Sequence, residues 1–167
     1  MLNNYFYIAS ELGEKSIKIR PSIEYNTLKI IDSDTPLIKS NVFSIARGVK
    51  WYDFIQFSNC FSFAISKKVK QLLESNQVTG WSCFPIVIEG KGRNKEYFVF
   101  QTLGKAGPIL NLEAVNRYEA DHSEFDLSTW DGSDFFNLKD TLISACTLRV
   151  KELLESAKLT NLEIRPL

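Results

Sequence analysis

The chain has 167 residues, 44% of them hydrophobic, with 20 basic and 20 acidic side chains, one histidine and three cysteines. That length supports burial of roughly 68–70% of the unfolded chain's surface, and the 21 aromatic residues supply bulky core material. No apolar run approaches the ~18 residues of a membrane span, and a formal charge of zero removes the usual footprint of a nucleic-acid binder, so the expected partner is a protein or a small molecule, with neither nucleic acid nor membrane.

The first residues, Met1 to Tyr7, lack the basic and apolar regions of a signal peptide, which places the chain in the cytoplasm as an expectation. Asn4 to Ala9 and Thr27 to Ile31 read as strands, with Pro21 and Pro36 marking loops. Cys60 to Ile65 alternates, Phe61, Phe63 and Ile65 on one face and smaller side chains between. Ser66 is a suitable helix N-cap, after which Val69, Leu72 and Leu73 share one helical face. Gly80 follows the helix, where tolerance of positive φ ends such elements. Trp81 to Glu89 and Lys95 to Thr102 form a hairpin around Gly90-Lys91-Gly92-Arg93-Asn94. A second helix is expected after the cap Thr147, with Val150, Leu153 and Leu154 inward, Asn161 after it, and a strand from Leu162 to Leu167. Three cysteines, Cys60, Cys83 and Cys146, form no C-x-x-C pair and read as reduced, structural thiols.

Shifting the sequence by 81 positions aligns Asp53–Pro85 with Asp134–Pro166 without a gap, and 11 of 33 positions are identical. Chance would give about two or three. The reading is one α+β domain spanning 1–167, a largely antiparallel sheet with two short amphipathic helices and an internal repeat of a strand-helix-strand unit at about 53–86 and 134–167.

Chemistry is sparse. The single histidine, His122, stands in Glu119-Ala120-Asp121-His122-Ser123-Glu124, but a triad assembles through the fold and not through adjacency, and zinc wants several ligands at defined spacing. Gly104-Lys105-Ala106-Gly107 fails the phosphate-loop pattern, and Gly90-Lys91-Gly92 fails the dinucleotide one. No catalytic residue, metal site or cofactor is assigned. Two features break local rules. Lys67 and Lys68 occupy the first turn of the first helix, as Arg149 does in the second, where the macrodipole disfavours cations; Ser66, Lys67 and Lys68 could instead hold a small anion. Between Glu113 and Asp134 seven acids face one base, Arg117, leaving −6 there and +6 elsewhere. That segment would steer a basic partner, with Glu119, Asp121, Glu124, Asp126 and Asp131 as contacts and Trp130 as the aromatic anchor.

The motifs Asp53-Phe54-Ile55, Ser66 to Glu74, Phe84-Pro85-Ile86-Val87 and Tyr97-Phe98-Val99-Phe100, followed by Asp134-Phe135-Phe136 and Thr147 to Glu155, resemble a family of small bacterial immunity proteins encoded beside polymorphic or contact-dependent toxins. The likeness covers about residues 40 to 167. Asn161 stands where the family has glycine, and Arg165 interrupts the final strand. The resemblance implies a cytoplasmic, non-enzymatic protein that binds one cognate toxin and neutralises it. A small anionic-ligand binding domain built on the helix N-termini at Ser66 and Thr147 is the alternative.

Overall fold

A computed structural model of the protein describes residues 4–11, 13, 15–22, 42–58, 62–90, 95–111 and 124–167. The expected strand Thr27–Ile31, the tip of the expected hairpin, Cys60, and the acids and histidine at Glu119, Asp121 and His122 lie outside these residues.

The fold is α+β with strands predominating. In chain order the elements are β1 (Tyr5–Ser10), β2 (Lys18–Pro21), β3 (Val42–Arg47), β4 (Phe54–Phe57), β5 (Phe63–Ser66), α1 (Lys67–Ser75), β6 (Trp81–Glu89), β7 (Tyr97–Thr102), β8 (Gly104–Ala106), β9 (Phe135–Leu138), β10 (Ser144–Thr147), α2 (Leu148–Ser156) and β11 (Leu162–Pro166). The expectation of one sheet needs correction, because the strands build two. β2-β3-β6-β7-β5-β4 closes into a barrel, and β11-β1-β10-β9-β8 forms a five-stranded sheet. Hairpins such as β6/β7 are antiparallel, whereas β2/β4, β3/β6 and β8/β9 are parallel. β2/β4 and β3/β6 lie in the barrel and β8/β9 in the five-stranded sheet, and each joins strands separated by intervening chain, as a parallel pair requires.

The two sheets agree in order and register. β4 and β5 pair Phe54 with Ile65 and Gln56 with Phe63, and β9 and β10 pair Phe135 with Cys146 and Asn137 with Ser144, each 81 residues later. β5 then pairs β7, as β10 pairs β1. β7 pairs Phe98 with Pro85 of β6, and β1 pairs Phe6 with Pro166 of β11. The N-terminal strand therefore serves the sheet built from the C-terminal part of the chain.

Alternation explains the layers. Phe54, Phe63, Ile65 and Phe100 leave the barrel outward and meet Phe6, Ile8, Phe135 and Cys146 of the second sheet, with Val69, Leu73, Val150 and Leu154 of the helices, in one shared core. Ile19, Phe43, Ile55, Ala64 and Val99 fill the barrel. β5 is thus buried on both faces, with Phe63 and Ile65 in the shared core and Ala64 inside the barrel. Ala106, Phe125, Phe136, Leu138 and Leu167 form a third cluster. Of the four leucines expected inside, Leu73 and Leu154 are fully buried, while Leu72 and Leu153 pack at the margin of the shared core. Among the described residues, no helix is long and apolar enough to cross a membrane.

Candidate functional site

Each helix begins with a different use of its hydroxyl. Ser66 accepts the Val69 N–H as a cap and donates to Asp53 Oδ1 at 2.8 Å. Thr147 makes no side-chain cap, contrary to expectation, although its hydroxyl donates to Asp134 Oδ1 at 3.3 Å much as Ser66 donates to Asp53. Nor do Gly80 and Asn161 end the helices. That role falls to Gln77 and Lys158, with φ of 50° and 49°, just past the caps Asn76 and Ala157. Gly80 and Asn161, at φ 77° and 63°, turn the chain into the following strand.

The basic first turns have a structural explanation. Lys68 Nζ donates to the Ala157 carbonyl of α2 at 3.2 Å, and Arg149 donates to the Asn76 carbonyl of α1 at 2.5 Å. Each helix's N-terminal cation thereby sits on the other helix's negative C-terminal end, where a cation is favoured. Carboxylates reinforce the exchange. Asp53 takes the N–H and hydroxyl of Thr160 at 3.0 and 2.9 Å; Asp134 takes those of Thr79 at 2.9 and 3.2 Å, and Arg149 at 2.7 Å. Burial alone would raise the Asp134 carboxyl, but the Thr79 N–H and the Arg149 guanidinium hold it below the usual carboxylate range.

Two places on the surface bear on function. The first is an open cleft of about 330 Å³ at the start of α1, lined by Trp51, Tyr52, Ser66, Lys67, Lys68 and Lys95 among others. It contains all three residues of the expected anion site, yet each is engaged within the fold. Lys67 Nζ lies 2.6 Å from Glu96, Lys68 holds Ala157, and Ser66 is bound to Asp53. Lys95 covers the Trp51 ring at 5.6 Å.

The second is the described part of the acidic segment. Residues 108–110 and 124–126 form a short ladder, with Leu110 N–H on Glu124 O at 2.7 Å and Asp126 N–H on Pro108 O at 3.0 Å. Asp126 accepts the Ser128 N–H at 2.8 Å; Asp131 accepts those of Ser133 and Lys105, both at 3.0 Å, and the Ser133 hydroxyl. Asp126 and Ser128 make a local turn, as do Asp131 and Ser133, and the second turn is also tied to β8 through Lys105. Bonds from Ser128 hold Asp126 below the ordinary range, and at Asp131 bonds from Ser133 and Lys105 overcome the opposing effect of burial. Glu124 remains exposed. Trp130 is not the free anchor expected of it. Its ring packs edge-on against Tyr5 at 5.5 Å and tilted against Phe136 at 5.6 Å, and its indole N–H donates to Ser133 O at 3.2 Å. Sequence reasoning passed over Leu127 on this segment and Leu110 on the ladder facing Glu124, which are 47% and 66% exposed.

Among the described residues, no group of three or more His, Cys, Asp and Glu side chains could hold a metal ion. Compared with models of known protein families and with curated proteins, the sequence matches none.

Proposed function

We propose that the protein is an immunity protein of the cytoplasm that binds a basic cognate toxin and neutralises it without catalysis, using the surface around Glu124, Asp126 and Asp131. The observation that carries this reading is the pair of exposed leucines, Leu110 and Leu127, set among these carboxylates on a ladder and turns that the fold already holds in place. Apolar contacts rimmed by charge on a preorganised loop suit protein recognition. Residues Glu119 and Asp121 extend the same acidic run in sequence. Trp130 contributes by fixing the loop against Tyr5 and Phe136, not by direct insertion.

The alternative, a small anion at Ser66, Lys67 and Lys68, finds less support because all three groups already have partners. We also infer that the fold arose by internal duplication, with each copy lending its first strand to the other's sheet. The constant 81-residue spacing of the β4/β5 and β9/β10 registers and the reciprocal Asp–Thr bonds support that history.

Co-expression with the product of the adjacent toxin gene tests the function. The expected result is protection of the host and co-purification at one-to-one stoichiometry, both lost in a Leu110→Ser/Leu127→Ser variant that remains folded. Protection that survives that variant would move the interface elsewhere, and absence of any complex would remove the proposal.

A further inference from the structure

A row of polar side chains crosses the outer face of the barrel on three neighbouring strands, and it does not satisfy itself. Lys18 of β2 stands opposite Arg47 of β3 and opposite Gln56 of β4. Ile19 and Ile55 point inward, so Lys18 and Gln56 point outward. The register shift beside Lys18 leaves Ala46 as an extra residue in β3 and brings Arg47 to the Lys18 face. Gly48 then lets the chain pass within van der Waals reach of the Ser16 backbone, since a Cβ there, at φ 86°, would meet Ser16 O at 2.1 Å. Like charges directly opposite on paired strands are unfavourable, and among the described residues no acid pairs with Lys18 or Arg47. Gln56 Oε1 is buried and has no hydrogen-bond partner.

The second sheet supplies an internal control. There Lys105 stands opposite Asn137, as Lys18 stands opposite Gln56. The residue beside Lys105 on its other side is an acid, Asp131, where the barrel has Arg47; its carboxylate takes the backbone N–H of Lys105 at 3.0 Å and leaves the ammonium unpaired by it. Asn137 is fully employed: its amide donates to Thr102 O at 3.3 Å, and its oxygen accepts the Ser144 hydroxyl at 2.8 Å. In the same places the barrel has a base and an amide oxygen with nothing bound to it.

We propose that Lys18, Arg47 and Gln56 form a binding site for an oxyanion that also carries a hydroxyl, of which hydrogenphosphate is the simplest example. Two cations neutralise the anionic oxygens, and the P–OH donates to Gln56 Oε1. The low ammonium pKa of Lys18, caused by burial and by the Arg47 charge, accords with a position that lacks its counter-ion. An anion without a proton, such as sulfate, satisfies the charge but not the amide oxygen.

Thermal unfolding of the full chain at pH 7 and constant ionic strength, in chloride, acetate, sulfate or phosphate, tests this. Phosphate at a hundredfold excess over its Kd should raise the midpoint by about 5–10 °C over chloride, with sulfate giving less than half of that and acetate almost nothing. The Lys18→Gln/Arg47→Gln variant should lose the phosphate effect. Gln56→Leu, which removes the orphaned oxygen and keeps both charges, should unfold no lower than the parent in chloride and respond equally to sulfate and phosphate. Equal responses of the parent to sulfate and phosphate, a phosphate effect unchanged in the double variant, or no phosphate effect would each overturn the site.

Discussion

Asp134 gathers more of the fold onto one side chain than any nearby residue of its kind, receiving Thr79, Thr147 and Arg149 together. Because its folded pKa is depressed, the stability it contributes is present above the unfolded carboxyl value of about 3.9 and is lost as pH falls through the folded value. Asp134→Asn should therefore be destabilised at pH 7 by about 1–3 kcal/mol, and its difference from the parent should shrink on going to pH 3, as measured by urea unfolding at both pH values. Gly80 makes a second residue-level case. A Cβ there would lie 2.0 Å from Phe135 O, at φ 77°, so Gly80→Ala should cost more than about 1 kcal/mol. The corresponding Asn161 meets the same crowding differently, donating its amide to Phe54 O at 2.8 Å and Ser16 Oγ at 3.1 Å. Asn161→Ala should leave those acceptors short by about 1–3 kcal/mol, and the same urea titration would register it. The thiols follow burial. Cys146, buried and with its pKa pushed up to about 12 by burial and by the Asp134 charge, should react with a thiol reagent only as fast as the protein unfolds.

At the scale of elements, the helices are held chiefly by one apolar residue per turn. Leu73→Ala and Leu154→Ala should each cost about 2–5 kcal/mol, and Leu72→Ala and Leu153→Ala clearly less, since the latter pair only edges the shared core. Equal losses in chemical unfolding would mean that the margin is buried after all. The helices were legible because Val69, Leu72 and Leu73 recur at helical spacing behind a hydroxyl cap, and β6 because a β-branched and aromatic run ends in glycine. β2, β3, β4 and β8 were not. Four residues such as Phe54–Phe57 are too few to display a period, and their pairing depends on neighbours far away in sequence. The candidate sites show the same division. The acidic segment declares itself by composition, but nothing local signals that Trp130 would be consumed by Tyr5, 125 positions earlier in the chain. Lys18, Arg47 and Gln56 are unremarkable until a barrel sets them side by side.

For the whole molecule, the charge separation is the property open to direct measurement. Asp126 builds its turn through one oxygen and Asp131 through both, so a fair test leaves Asp131 in place: Glu124→Gln/Asp126→Asn removes two charges and retains the acceptor at 126. With a verified toxin partner, this variant should associate several-fold more slowly at low salt and nearly normally at high salt in stopped-flow mixing. The leucine pair should act mainly on dissociation.

The placement of β1 between β10 and β11 also dictates an order of events during synthesis. Every strand of the barrel lies between residues 18 and 102, so the barrel can close while the rest of the chain is still being made. β1 leaves the ribosome ahead of both its neighbours, which follow only after residue 143, so that Tyr5, Phe6 and Ile8 lack their partner strands in the meantime. A nascent chain stalled before β10 should therefore expose β1 to protease next to a protected barrel, the window in which a chaperone would have most to do.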